Sequence, residues 1–315
     1  MPTQPSTELL AALADNSRQP VADGFMPWIN ALREHYGDSV SAIVLYGSCL
    51  QKQDPTDGLA DFYVVVDDYR QFYRKRWLSL ANQWLPPNVF YHETDTRAGR
   101  LRAKVAVVST QAFLTGNRDA FHSYFWARFA QPCRILYTRD QTSLDQCHQA
   151  LGWAVLKFLT ETLPALPDRA MTWAELWQHG LALTYAAELR AERGHRVQQL
   201  TDSNQAYYQD VTALVAPCLP EQLSRENDLY RAKQPDRHRW LPGFKWRIRR
   251  WQGLVLSILR LAKAVFTFAG GVDYIAWKIE RHTGEKVVVS EQLRNYPIIF
   301  GLITLWRLKR RGLVN

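Results

Sequence analysis

Ser41-Ala-Ile-Val-Leu-Tyr46, then Gly47-Ser48, then Ala60-Asp61-Phe62-Tyr63-Val64-Val65-Val66-Asp67-Asp68 is the stretch whose reading decides the fold. The first run is short, apolar and β-branched, which predicts a buried strand. Gly47-Ser48 predicts a tight turn at which the backbone can approach a ligand. The turn cluster Asp54-Pro-Thr-Asp-Gly58 follows, and a second apolar strand then opens with Asp61. Free N–H groups and a hydroxyl at such a turn can hold phosphates, and a strand carboxylate beside them can hold Mg²⁺. The plain alternative is a structural turn followed by an edge carboxylate. A second carboxylate two residues on would share the face of Asp61, but Tyr63 stands there.

The chain has 315 residues, 47% of them apolar and 22% charged. That is globular composition, with room for one to three domains. Cys49, Cys133, Cys147 and Cys218 show no Cys-x-x-Cys spacing and no neighbouring His cluster. Zinc and a disulfide framework are disfavoured, and a reducing compartment fits. The first 25 residues carry Glu8 and Asp15 and no long apolar run, unlike a secretory or transit segment. The net charge of +9 is uneven. From Tyr230 to Asn315 there are 18 Lys and Arg against 5 Asp and Glu, whereas the preceding residues carry 21 against 25. Such a basic region seeks phosphate, on nucleic acid or on anionic lipid.

Along the chain, residues 26–37 predict a helix leading into the first strand. Tyr69 to Trp84 predicts another, ended by Pro86-Pro87. Asn88–Tyr91 and Lys104–Ser109 are further short strands, giving a small mixed sheet flanked by helices up to about Tyr137. Residues 143–163 and 172–193 have helical patterns, joined by a linker at 164–170, with Gly194 as a C-cap. Arg231 to Pro242 reads as a mobile loop. Trp246 to Lys278 is then amphipathic, with Trp251, Leu254, Val255, Ile258 and Leu261 at helical spacing and Arg260, Lys263 and Thr267 on another stripe. The charges within it argue for a helix lying on a surface rather than crossing a membrane. Tyr296–Trp306, followed by Arg307, Lys309, Arg310 and Arg311, resembles an interfacial anchor; a core helix capped by solvated charges is the alternative. The expected organisation is residues 1–142, a sheet domain; 143–230, a helical domain; and 231–315, a basic amphipathic, membrane-associating region.

The order strand, Gly-Ser, strand aspartate resembles nucleotidyltransferases of the polymerase-β type. Several segments together resemble one family more closely, the mitochondrial-type phosphatidate cytidylyltransferases of translocator assembly and maintenance. Tyr46-Gly47-Ser48-Cys49 is similar to that family's Tyr-Gly-Ser-Gly, and Asp61–Asp68 to its Asp-Phe run ending in Val-Asp-Asp. The family also lacks an acid at the position of Tyr63. Lys104–Ser109, Tyr124–Pro132, Thr184–Arg190 and Arg260–Thr267 resemble four further segments, in order, over most of residues 41–270. Cys49 departs from the family's Gly, Glu188 from its Asp, and a His-rich helix after the aspartate strand is largely missing. The acceptor substrate is therefore the part of the likeness most open to change.

The resemblance implies an α+β fold, a polymerase-β-type nucleotidyltransferase domain with a helical second domain. It implies CMP transfer from CTP to phosphatidate, giving CDP-diacylglycerol and pyrophosphate. Tyr46, Gly47 and Ser48 would hold the nucleotide phosphates. Asp61 would ligate Mg²⁺, with Glu188 as the second metal carboxylate. Lys104 would neutralise the triphosphate, and Arg190 would contact a phosphate. Arg260, Lys263 and Thr267 would meet the acceptor phosphate or the lipid surface. Arg128 is a further candidate for which a packing role is favoured. The expected partners are CTP, phosphatidate and an anionic membrane surface, with no nucleic acid, and the expected place is the cytoplasmic face of a bacterial inner membrane. Two other readings stay open. One is a nucleotidyltransferase acting on another phosphate acceptor. The other is a non-catalytic RNA-binding module, with Trp240, Trp246 and Trp251 stacking on bases.

Overall fold

A computed structural model describes residues 4–51, 58–96, 99–188, 194–219, 221–233 and 240–267. The run that decides the fold forms β1 (Val40–Tyr46) and β2 (Ala60–Val66). Before β1 come α1 (Thr7–Ser17) and α2 (Met26–Tyr36). After β2 come α3 (Tyr69–Phe72), α4 (Arg76–Trp84), β3 (Asn88–Thr96), β4 (Gly99–Ser109), α5 (Thr110–Arg118), α6 (Trp126–Phe129) and β5 (Cys133–Thr138). The five strands make one mixed sheet in the order β3-β4-β2-β1-β5. Strand β2 is antiparallel to β1 and parallel to β4.

The sheet is buried on both faces. Phe62, Val64 and Val66 of β2 pack with Ile43, Leu45, Trp28 and Ile29 on one side. Tyr63 and Val65 pack with Ala42, Val44, Phe113 and Trp126 on the other. This period of two is why the apolar runs are continuous rather than alternating. On the second side the core runs on through α7 (Gln141–Thr162), α8 (Trp173–Ala186) and α10 (Gln205–Val215) without a break. Helix α9 (Gly194–Asp202) precedes α10, and β6 (Ala170–Met171), β7 (Leu223–Glu226) and β8 (Leu229–Ala232) form a small second sheet.

Several sequence expectations change here. The helix expected over 69–84 is two pieces, because Tyr73 adopts an extended backbone and turns its hydroxyl to accept from the Asn82 amide at 3.0 Å. The strands expected at 88–91 and 104–109 are longer and pair as a hairpin. Their polar extensions are held by Glu93 between Arg100 and Arg102. The helix expected to 193 stops at Ala186, and Gly194 begins α9 instead of capping α8. The loop expected from Arg231 to Pro242 begins inside β8 and ends inside a long helix, α11 (Leu241–Thr267). The apolar run and basic cluster at 296–311, and the region beyond residue 267 as a whole, lie outside the described residues.

Helix α11 is seated by its polar line. Arg249 is 1% exposed, donates to the Glu161 carboxylate at 2.7 Å and to the Phe121 carbonyl at 2.6 Å. Trp246 donates to the Glu161 carbonyl at 3.2 Å. One turn on, Gly253 lies so close to α8's exit that an added Cβ would stand 1.9 Å from the Ala187 carbonyl oxygen. Gly→Ala inside a helix usually stabilises by about 1 kcal/mol. Here the sign is expected to reverse: Gly253→Ala must lift α11 off α8, at about 1–3 kcal/mol. A lowered melting temperature checks this, and an unchanged or raised one would show that the contact is loose.

Candidate active site

Register brings the site together before any side chain is considered. Asp61 is paired with Tyr46 on β1 and with Lys104 on β4, so the three share one face of the sheet. That is the face carrying Tyr63 and Val65, which looks toward α6 and α8. Gly47 turns the chain at φ +87°, a conformation that favours glycine. A Cβ on Gly47 would stand 3.5 Å from Asp61 Oδ2, so the carboxylate lies over the turn. Ser48 opens a 3₁₀ turn, Ser48–Gln51, in which the Leu50 N–H donates to the Gly47 carbonyl at 3.2 Å. Cys49 points the other way. It is buried in the far core and its thiol donates to the Tyr46 carbonyl at 3.1 Å, so it is absent from the cavity wall.

The turn opens into a cavity of about 280 Å³ lined by Tyr46, Gly47, Ser48 and Asp61 from the sheet, Arg128 and Gln131 from the α6 region, and Tyr185 from α8. Gln199 and Asn204 close it from α9 and the α9–α10 turn. A smaller pocket adjoins it through Arg128, Gln131 and Tyr185, and there Glu188 lies. Lys104 stands beside Asp61 across the ladder rather than on the cavity wall.

Arg128 is at the centre of this arrangement, packed among aromatic rings as the sequence reading favoured and at the same time on the cavity wall. It is 10% exposed, and its guanidinium donates to the Tyr124 carbonyl at 2.9 Å, to the Tyr63 hydroxyl at 3.3 Å and to Glu188 Oε2 at 3.5 Å. Its Nε is buried without a hydrogen-bond partner. The guanidinium carbon lies 4.2 Å from the Tyr124 ring centre and 5.6 Å from that of Tyr46. Tyr63 thus occupies the place where a second strand carboxylate would project. Burial, helped by the neighbouring Tyr124, pushes its phenol well above the ordinary value, so it serves Arg128 as a neutral acceptor.

Glu188, expected as a metal carboxylate, is held by Arg128 in the side pocket. Arg260 and Lys263, expected on the acceptor phosphate, point inward from α11. Arg260 stacks 3.8 Å from the Tyr124 ring centre and donates to the Pro86 carbonyl at 3.2 Å. Lys263 donates to the carbonyls of Leu85 and Pro87. Burial and then Arg260 lower the pKa of its ammonium to about 7. Both therefore tie α11 to the corner after α4. Arg190 and the Thr267 side chain lie outside the described residues. Gln131, Gln199 and Asn204 were not singled out by sequence. Isolated amides on separate helices leave no pattern to read.

Two histidines near these elements are kept neutral. Burial first, then Arg260, lowers His122 to about 4, and burial with His35 lowers His92 to about 4. Both values lie below the unfolded value of 6.5, so the unfolded chain binds more protons between about pH 6.5 and 4. Stability is therefore expected to be lost as pH falls through that window, by up to about 3 kcal/mol per residue, and to level off below it. Denaturant titrations at neutral pH and in acid should show a smaller difference for His122→Gln than for wild type. An equal difference would assign the acid sensitivity to other groups.

The chain is a mixed α+β protein whose five-stranded sheet carries a Gly-Ser turn after its first strand and an aspartate on the neighbouring strand, the order that the sequence resemblance to polymerase-β-type nucleotidyltransferases implies. A solved structure described as a nucleotidyltransferase-like protein from Exiguobacterium sibiricum is similar to this chain, at 13% identity over 90% of each chain and a TM-score of 0.23. No family model and no curated protein matches the chain. The α+β architecture itself is described by the strand topology and the turn.

Proposed function

We propose that the protein transfers CMP from CTP to phosphatidate, forming CDP-diacylglycerol and releasing pyrophosphate. The observation that carries a nucleotidyltransferase reading is the Asp61 carboxylate lying over the Gly47–Ser48 turn at the mouth of a cavity walled by Arg128. The choice of CTP and phosphatidate rests on the sequence resemblance and on the apolar outer face of α11.

In this reading the turn amides and the Ser48 hydroxyl cradle the terminal phosphates, and Arg128 offsets their charge from the α6 side. An oxygen of the acceptor phosphate attacks the α-phosphorus of CTP. The bond to the bridging oxygen breaks, and pyrophosphate leaves with the electron pair. The acceptor is already anionic, so the site needs no strong general base; positioning and charge neutralisation suffice. Mg²⁺ is commonly held by one or two carboxylates together with substrate phosphates and water. Asp61 and the Ser48 hydroxyl fit that requirement, and the ion would supply charge neutralisation at the phosphates. Glu188, expected as the second metal carboxylate, meets Arg128 at 3.5 Å in this structure; among the described residues no cluster of three His, Cys, Asp or Glu is present. Attachment to the cytoplasmic face of a bacterial inner membrane belongs to the same proposal.

The test is incubation with labelled CTP, Mg²⁺ and phosphatidate in mixed micelles. A labelled CDP-lipid with stoichiometric pyrophosphate is expected. Product on a soluble phosphate ester and none on phosphatidate would move the acceptor. No transfer from any nucleoside triphosphate would end the reading.

A further inference from the structure

Helix α11 buries cations and exposes large apolar side chains. Its inner line holds Trp246, Arg249, Gly253, Arg260 and Lys263, and its outer line exposes Phe244, Ile248, Trp251, Leu254 and Ile258, with Trp240 just before it. Trp240 is 61% and Trp251 69% exposed. Water-soluble surfaces reverse this order, placing cations outward and apolar residues inward. A second exposed stripe lies on α4, where Trp77, Leu80 and Trp84 recur at helical spacing and Trp84 is 85% exposed. Of the 14 exposed large hydrophobics among the described residues, three lie on α4 and eight between Trp240 and Leu259. They are therefore clustered on two elements and are not the scattered singles of an ordinary surface.

The two stripes meet at one corner. Trp84 immediately precedes Leu85, Pro86 and Pro87, whose carbonyls receive Arg260 and Lys263. Ile258 and Leu259 immediately precede Arg260 on α11. The cations buried inside α11 thus hold the C-terminal end of α4 close to residues 260–263 of α11.

We propose that α4 and the outer face of α11 form one composite surface that lies on an anionic lipid leaflet. Charge selects this occupant. Arg70, Arg74, Lys75 and Arg76 are exposed around α4, and Lys245, Arg247 and Arg250 along α11. No Asp or Glu occurs from Tyr69 to Pro87 or from Leu241 to Thr267. A second copy of the chain would set like charges face to face, whereas anionic headgroups match the cations and acyl chains accept the tryptophans. Among the described residues no helix is long and apolar enough to cross a membrane, so contact is by lying on the leaflet. For the acceptor this proposal rests on the reading above.

The test is sedimentation of the full chain with phosphatidylcholine vesicles, with and without roughly one-third phosphatidylglycerol. Wild type, Trp77→Ser/Trp84→Ser and Trp251→Ser/Ile258→Ser are compared, each checked for an unchanged melting temperature. Wild type is expected to bind the anionic vesicles selectively, and each pair of substitutions to weaken binding about tenfold or more. Turnover of the same variants on a short-chain, water-soluble phosphatidate should stay within about twofold of wild type, since the substituted side chains face away from the cavity. Undiminished sedimentation of the Trp77/Trp84 variant would remove α4 from the surface. Loss of a dimer on gel filtration with no change in sedimentation would make a second copy the occupant and overturn the proposal. Vesicle binding that falls as expected, with no CDP-lipid formed by any form, would leave this surface standing and remove the proposed reaction.

Discussion

Asp61→Asn is expected to lower turnover by about a thousandfold or more while leaving the fold intact. The side chain is isosteric, stands half-buried at the start of β2 and lies over the Gly47 turn, where in the proposed reaction a metal ion would link it to the nucleotide phosphates. Replacing the carboxylate by an amide keeps the shape and the strand pairing with Tyr46 and Lys104 but removes the anion that would hold the metal in the proposed reaction. Circular dichroism and the melting temperature should match wild type, and the loss should appear in kcat. A variant that kept near-wild-type kcat would take Asp61 out of the chemistry. The cavity would then be a binding site without a reaction.

The second large effect is expected at Arg128. Arg128→Ala removes the cation that faces the cavity from α6 and leaves Glu188, itself 15% exposed, without that partner. A charge-assisted hydrogen bond contributes about 1.5–3 kcal/mol, so nucleotide affinity should fall by roughly tenfold to a hundredfold. The buried carboxylate should also lower the stability of the single variant, and Arg128→Ala/Glu188→Gln should recover part of that loss without recovering affinity. Glu188→Gln alone decides what Glu188 does. If it merely holds Arg128 in the unliganded site, the substitution should leave turnover within a few-fold of wild type and leave nucleotide affinity equal or tighter. If it were a metal ligand, it should match Asp61→Asn, and the double variant should cost little more than either alone. Nucleotide titration calorimetry with steady-state rates on the three variants separates these outcomes.

The strands and the turn were legible in the sequence because local chemistry alone determines them. A β-branched run buried on both faces has few alternatives, and a Gly-Ser turn after it needs the φ that Gly47 adopts. Asp61 was legible for the same reason, since its place in the strand fixed its face and its neighbours. The rest of the site depends on partners distant in sequence. Arg128 meets Glu188 and Tyr63 only because α6 and the end of α8 pack over one face of the sheet. Helix α11 was legible as amphipathic, but which of its faces is buried was not. Spacing gives two stripes, and the Glu161 carboxylate together with the carbonyls of Phe121, Leu85, Pro86 and Pro87 draws the cationic one inward. The polar halves of β3 and β4 were missed because their pairing is carried by Glu93 and two arginines, not by apolar alternation.

Strand β2 has apolar cores on both sides, and this gives its alignment a meaning for errors as well as for architecture. Odd-numbered positions from Asp61 to Val65 serve the cavity side, and Phe62, Val64 and Val66 serve the other. A slip by a single residue during synthesis-coupled collapse would exchange the two sets. It would drive the Asp61 carboxylate into a core of Trp28, Ile43 and Leu45 and push Phe62 into the phosphate cradle. An unpaired carboxylate in such surroundings costs far more than the few kcal/mol that separate folded from unfolded chains. A misaligned molecule is therefore one that fails to fold, and the population that does fold carries its carboxylate at the cavity. The carboxylate proofreads the strand that presents it.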